Sequence, residues 1–260
     1  MAGEDMSLVW AAAGVAVVAS GAAGLVARGM FSPRSGVFGP VVFRGTTASP
    51  PRVALTFDDG PDERTTPRIL DVLERYEVPA AFFVIGRNVE RHPELVAQMH
   101  RAGHLVGNHS YHHARLGTFR RLRYWRQELA RTDDVIAPIV GAKPRLFRPP
   151  MGFRNRHIAR VVREGRYVAT TWTVRALDSL NTSAARILER LDLRSEAGSI
   201  LALHDGQEPG RVRDLRATIE ALPQLIERLR DRGLEPVRLD GLIGEQPYRE
   251  NASVPEPSGG

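Results

Sequence analysis

Residues 52–86 read RVALTFDDGPDERTTPRILDVLERYEVPAAFFVIG. Two short apolar runs, VALTF (Val53–Phe57) and AAFFVIG (Ala80–Gly86), enclose the segment Thr65–Tyr76. In that segment Ile69, Leu70, Val72 and Leu73 fall on one side of a helix. The runs are apolar without alternation, as in strands covered on both faces, and a strand–helix–strand unit of this kind builds a parallel sheet. The alternation continues along the chain. Further β-type runs lie at His104–His109, Arg145–Arg148, Tyr167–Val174, Ile200–His204 and Pro236–Leu239. Helical patterns lie at Pro93–Arg101, Phe119–Val140, Arg154–Glu164, Ser183–Leu193 and Val212–Arg232. Strands alternating with helices predict an α/β fold with about seven parallel strands. A distorted (β/α) barrel is expected over an open doubly wound sheet, because no glycine-rich phosphate loop follows the first strand.

In such a barrel the C-terminal ends of the strands open on one face, where barrel active sites sit. Polar residues gather at those ends: Asp58 and Asp59 after VALTF, His109 and His113 after HLVGN, Arg148 after RLF, Asp178 beyond YVATTWTV, and His204 with Asp205 after ILAL. Adjacent carboxylates raise each other's pKa unless a cation neutralises one, so Asp58-Asp59-Gly60 reads as one metal ligand and one general base; an ordinary Asp-Gly turn is the plainer reading. His109 and His113, four apart, would share one side of a helical turn. With one aspartate they would make a His₂-carboxylate site suited to Zn²⁺, His112 being the competing ligand. The prolines of Arg148-Pro149-Pro150-Met151-Gly152 stiffen a turn that would aim Arg148 at a carboxylate such as Asp58. His204 at a strand end can serve as a general acid, or simply cap the loop with Asp205.

These segments resemble the polysaccharide deacetylase domain, the NodB-homology domain of carbohydrate esterase family four. TFDDG (Thr56–Gly60), HSYHH (His109–His113), RPPMG (Arg148–Gly152) and LALHD (Leu201–Asp205) match its motifs in order and spacing, across about Arg52 to Leu242. The resemblance implies metal-dependent removal of acetyl groups from an amino-sugar polysaccharide. It implies Asp59, His109 and His113 as ligands of a divalent metal, usually zinc, and Asp58 as the base. It further implies His204 as the acid, Arg148 orienting Asp58, Asp178 tuning His204, and the backbone N–H of Met151 at the oxyanion. One motif departs from the family pattern D-x-x-D-W. Here Arg175-Ala176-Leu177-Asp178-Ser179 keeps the second aspartate but carries Arg175 for the first and Ser179 for the tryptophan that usually walls the groove. Met151 also stands where an aromatic residue is frequent. An O-acetyl esterase on the same site and a non-catalytic glycan-binding protein are the alternatives.

The 260 residues suit one such domain with extensions. The absence of cysteine excludes disulfides, thiolate metal sites and a cysteine nucleophile. The net charge of +6 comes from 36 basic residues, all arginine but Lys143, interspersed with acids. That pattern reads as coding bias, and no nucleic-acid partner is expected. Leu8–Ala27 is an uncharged stretch of 20 residues, long enough to cross a bilayer core. The expected organisation is therefore a transmembrane anchor (1–30), a linker (31–51) whose apolar middle packs on the domain, the deacetylase domain (52–245) and a disordered tail (246–260). A membrane-anchored protein with an extracytoplasmic catalytic domain is expected, although Arg28 and Arg34 after the stretch lean the charge rule the other way.

Overall fold

The computed structural model describes residues 23–249 except 48, 181, 209 and 213. Helix α1 (23–31) leads into an alternating series. In chain order this runs β1 (Arg52–Asp58), α2 (Thr66–Arg75), β2 (Ala81–Val84), α3 (Gly86–Arg91), α4 (Pro93–Arg101), β3 (Leu105–Asn108), α5 (Leu122–Val140), β4 (Leu146–Phe147), α6 (Arg156–Glu164) and β5 (Val168–Ala169). It continues with β6 (Val174–Arg175), α7 (Ala184–Arg194), β7 (Ile200–His204), α8 (Arg216–Asp231), β8 (Glu235–Pro236) and α9 (Leu239–Ile243). Seven strands pair in the order β5-β4-β3-β2-β1-β7-β6, every pair parallel, and β8 adds to the start of β1.

Period-two alternation sorts the side chains. Val53, Leu55 and Phe57 of β1 join the outer core with Leu201 and Leu203 of β7 and the apolar sides of α2, α7 and α8. Ala54, Ala81, Phe83, Leu105, Leu146 and Ile200 fill the barrel interior, closed below by Leu239 and Leu242 of α9. Asp58 shares its face of β1 with Ala54, and His204 shares its face of β7 with Ile200. Both therefore stand at the top of the interior, paired in register across the two strands.

The predicted strand Tyr167–Val174 is two strands at opposite ends of the sheet. Its middle crosses the seam of the barrel: the Thr170 N–H bonds to Phe147 O, that of Thr171 to Val42 O, and that of Thr173 to Ile200 O. Val42 makes a parallel bridge to Thr170 and Arg44 an antiparallel bridge to Ser199. The chain around residues 42–45, inside the predicted linker, thus supplies hydrogen bonds that two sheet edges would otherwise lack. At the other end, Tyr248 bridges to Pro144 and its hydroxyl accepts the Val106 N–H at 3.3 Å. Arg249 pairs with Asp133 and lies over the Tyr167 ring. Tyr248 and Arg249 of the predicted tail thus pack against these elements, and residues 250–260 of that tail lie outside the described residues. No helix among the described residues is long and apolar enough to cross a membrane. Residues 8–22 of the predicted transmembrane span lie outside them, and residues 23–27 open α1.

His104 is a packing residue. It is buried against Phe82 and accepts the Ala80 N–H at 3.2 Å through Nδ1. Burial pulls its pKa down from 6.5 to about 4. An unfolded chain takes up this proton near pH 6.5 and the folded chain only near 4. The stability contributed by the neutral ring is therefore complete above 6.5 and lost as pH falls through about 4, a swing on the order of 3 kcal/mol. Urea unfolding of wild type and His104→Asn at a series of pH values should show wild type losing its advantage by that amount on acidification. A gap that stays constant with pH would contradict it.

Candidate active site

Asp58, Asp59, His109, His113, Met151 and His204 line one cleft of 220 Å³ at the C-terminal ends of the strands. Asp178 lies behind His204, fully inside the protein. These seven of the residues singled out in the sequence are thus brought together.

The loop His109–His113 is not the expected helical turn. It is irregular, with Ser110 and His113 in the left-handed region (φ 66° and 51°). Helix α5 shapes it. Glu128 accepts the N–H groups of Tyr111 (3.1 Å) and His112 (2.8 Å) and bonds the His112 ring at 2.6 Å, which turns His112 away from the cleft. Asp133 accepts from Asn108 Nδ2 at 2.8 Å, and Asn108 Oδ1 accepts the Ser110 N–H at 2.8 Å. The imidazoles of His109 and His113 nevertheless converge, their ring centres 4.7 Å apart.

Asp59, with φ 70°, turns its carboxylate towards them. Its Oδ1 lies 3.5 Å from His109 Nε2 and 3.3 Å from His113 Nε2. The turn depends on two close approaches. A Cβ on Gly60 would fall on the Asp205 carboxyl, and one on Gly206 would fall on the Asp59 carbonyl. Asp205 itself, buried and accepting from Thr66 Oγ1 at 2.7 Å, is pushed up to about 7 by desolvation.

These three residues fit a divalent cation. His109 Nδ1 lies 2.7 Å from Arg148 O. A carbonyl only accepts, so Nδ1 carries a hydrogen and Nε2 is the ring nitrogen that faces the Asp59 oxygen and could ligate a metal. The Asp59 oxygen and this nitrogen lie within reach of a single cation. Burial works against the Asp59 charge, but His113, His109 and His204 hold its pKa well below the usual carboxylate range. Burial pushes His113 down, against the pull of Asp59. One carboxylate oxygen and two imidazole nitrogens, with all donor atoms within 4.8 Å of one another, form a donor set suited to a metal.

Arg148 is wholly buried in the barrel interior. Its guanidinium stacks over the Phe83 ring at 4.0 Å and donates to Asp58 Oδ1 (2.6 Å), Thr56 Oγ1 (2.8 Å) and Thr171 O (3.0 Å). Desolvation lowers the Arg148 pKa and the Asp58 charge opposes that shift. The carboxylate of Asp58 is thereby fixed in one orientation. On the other strand, His204 Nδ1 lies 2.7 Å from Asp178 Oδ1, while Asp178 Oδ2 accepts the His204 N–H and the Thr218 hydroxyl, each at 2.9 Å. Burial alone would lower the His204 pKa. Asp178, with Asp59 and Asp58 beyond it, pushes it up to about 9, so the imidazole is charged at neutral pH. Met151 has φ 58°. Of the seven non-glycine residues with positive φ among the described residues, five (Asp59, Ser110, His113, Met151 and Leu177) belong to these loops. Strain gathered in one place marks a functional surface.

Glu128 and Glu208 carried no signal in the sequence. Glu208 approaches His113 Nδ1 at 3.9 Å and takes a bidentate pair from Arg115 at 2.7 and 2.9 Å. Neither glutamate belongs to a short motif, since each meets the histidine loop from a distant part of the chain.

Residues 45–170 match the polysaccharide deacetylase family. The chain is 33% identical over 191 residues to a peptidoglycan-N-acetylglucosamine deacetylase of Bacillus cereus, covering 74% of this chain and 68% of that one. It is 34% identical over 189 residues to a chitooligosaccharide deacetylase of Bradyrhizobium, covering 70% and 86%. The crystal structure of the Bc1960 peptidoglycan N-acetylglucosamine deacetylase superposes with a TM-score of 0.75 at 31% identity, over 80% of this chain and 95% of that one. The fold, the convergent site and these likenesses agree: the chain belongs to the polysaccharide deacetylase family and is a hydrolase of carbon–nitrogen bonds other than peptide bonds.

Proposed function

We propose that the protein is a metal-dependent N-deacetylase of an amino-sugar polysaccharide, peptidoglycan or a chitin-like glycan. The observation that carries this reading is the placement of an arginine-held carboxylate (Asp58) and an aspartate-held imidazole (His204) beside the Asp59–His109–His113 donor set. Two nitrogens and one oxygen suit Zn²⁺ best among common divalent ions. When bound, the cation would supply Lewis-acid polarisation of the acetamide carbonyl and of the attacking water.

The protein's own groups perform the proton transfers. Asp58 takes a proton from the water as its oxygen bonds to the acetamide carbon, and Arg148 holds the carboxylate in position for this. The left-handed turn at Met151 presents its backbone N–H to the oxygen on which negative charge develops. His204 Nε2 gives its proton to the sugar nitrogen as the carbon–nitrogen bond breaks, releasing acetate and a free amine. Asp178 holds the opposite ring nitrogen and stabilises the charged imidazole from which that proton comes.

Metal titration tests the reading directly. The chelated protein should bind one Zn²⁺ per chain, and Asp59→Ala should weaken that binding by more than about 100-fold. With free metal at about 100 times its dissociation constant, the fold should gain about 2.7 kcal/mol. Acetate release from N-acetylglucosamine oligomers should vanish with chelator and return with Zn²⁺. A protein that binds no metal would refute the proposal. Release from acetylxylan alone would make the enzyme an O-acetyl esterase.

A further inference from the structure

Trp172 and Arg175 line the catalytic cleft and also a second groove of 470 Å³ beside it, so the two are continuous along β6. Five arginines line this groove (34, 44, 175, 190 and 194) against a single carboxylate, Glu196, which Arg44 already pairs. Arginine-rich composition does not explain the imbalance. Elsewhere on the surface guanidinium groups meet carboxylates, as in Arg126 and Arg160 with Glu164, or Arg228 and Arg232 with Asp192. In the groove Arg34 donates instead to the carbonyl of Thr173, and Arg190 to that of Ala176 at 3.1 Å. Arg175 sits over the Trp172 ring at 5.6 Å. Backbone carbonyls and ring faces hold these side chains in place without neutralising them. Planar forks of this kind match the oxygens of a carboxylate or phosphate.

We propose that this groove is an anion subsite of the substrate strand. It binds a carboxylate or phosphate carried on a sugar next to the one whose acetamide enters the cleft. Arg175, at the junction, is the specificity-determining residue, and Arg194 deepens the site. The proposal rests on the deacetylase reading above, but its test does not depend on turnover.

Binding of three N-acetylglucosamine oligomers of equal length is measured by calorimetry on the full chain, with chelator present to prevent hydrolysis. One oligomer is neutral, one is oxidised to carboxylate at C6 of alternate sugars, and one is phosphorylated there. Wild type should bind one or both anionic oligomers about tenfold more tightly than the neutral one, a preference that fades with added salt. The two anionic arms tell carboxylate from phosphate. Arg175→Gln/Arg194→Gln should lose the preference, and Arg194→Gln, outside the catalytic cleft, should weaken it while binding the neutral oligomer as before, which certifies the fold of that variant. With metal restored, Arg194→Gln, which lies outside the catalytic cleft, should show raised KM on the anionic substrate and kcat within about twofold. Equal affinity for all three oligomers, or a preference that survives in the double variant, would overturn the proposal. Charge preference without acetate release would leave the subsite standing and refute the deacetylase reading; release without charge preference would do the reverse.

Discussion

Asp58→Asn lowers kcat for acetate release by about 10³-fold, within the range of 10² to 10⁴ that a positioned general base contributes. The substitution is nearly isosteric. An asparagine carbonyl can still accept from Arg148 where Oδ1 now does at 2.6 Å, and Thr56 and Thr171 still accept from the same guanidinium. The barrel interior therefore keeps its shape. What is lost is the ability to take a proton from water. The variant should consequently keep its KM within a few-fold and bind Zn²⁺ as wild type does, because Asp58 is not among the three donors. Single-turnover acetate release, with metal binding measured in parallel, separates these effects. Retention of more than about a tenth of wild-type kcat would remove Asp58 from the role of base. Loss of metal binding would instead make it a ligand.

The site residues were legible because their types are rare at strand ends and their chemistry is specific. Period-two alternation in β1 and β7 also placed Asp58 and His204 on the same interior face as the small residues Ala54 and Ala202. The seam was not legible. YVATTWTV is β-branched or aromatic at every position but Ala169, so nothing local distinguishes the pairing residues Val168–Ala169 and Val174–Arg175 from the four residues that cross between the sheet edges. The partner that makes the crossing stable is Val42, more than a hundred residues earlier, in a Gly- and Pro-rich segment that reads as a linker. The histidine loop failed for the same reason. A spacing of four is compatible with a helical turn, but Glu128 on α5 takes the backbone N–H groups and imposes an irregular path. The basic groove was hidden differently. In a chain whose arginines are everywhere, only the fold reveals which five face one another and which acids are absent from among them.

Removing Arg148 should cost more stability than any other single change in the site. Its guanidinium is fully desolvated and is offset by one carboxylate, two further oxygens and the Phe83 ring. Arg148→Met fills similar space but leaves the Asp58 charge in the barrel interior without its cation. Orphaning one member of a buried pair costs about 3–5 kcal/mol. For a domain of this size that lowers Tm by on the order of 10 °C. Arg148→Lys should not restore the loss, since an ammonium on a flexible stem cannot reach Asp58, Thr56 and Thr171 in the planar fork these three acceptors define. The decisive variant is Asp58→Asn/Arg148→Met. With neither charge present no charge is orphaned, so the double variant should be more stable than Arg148→Met alone, with a coupling of about 1–3 kcal/mol in the cycle. Denaturant unfolding of the wild type, both single variants and the double measures that coupling without reference to catalysis. Strict additivity would mean that Arg148 supports the barrel by packing alone. A positive coupling means that the base is held in place by a pair whose two charges are tolerated in the interior only together.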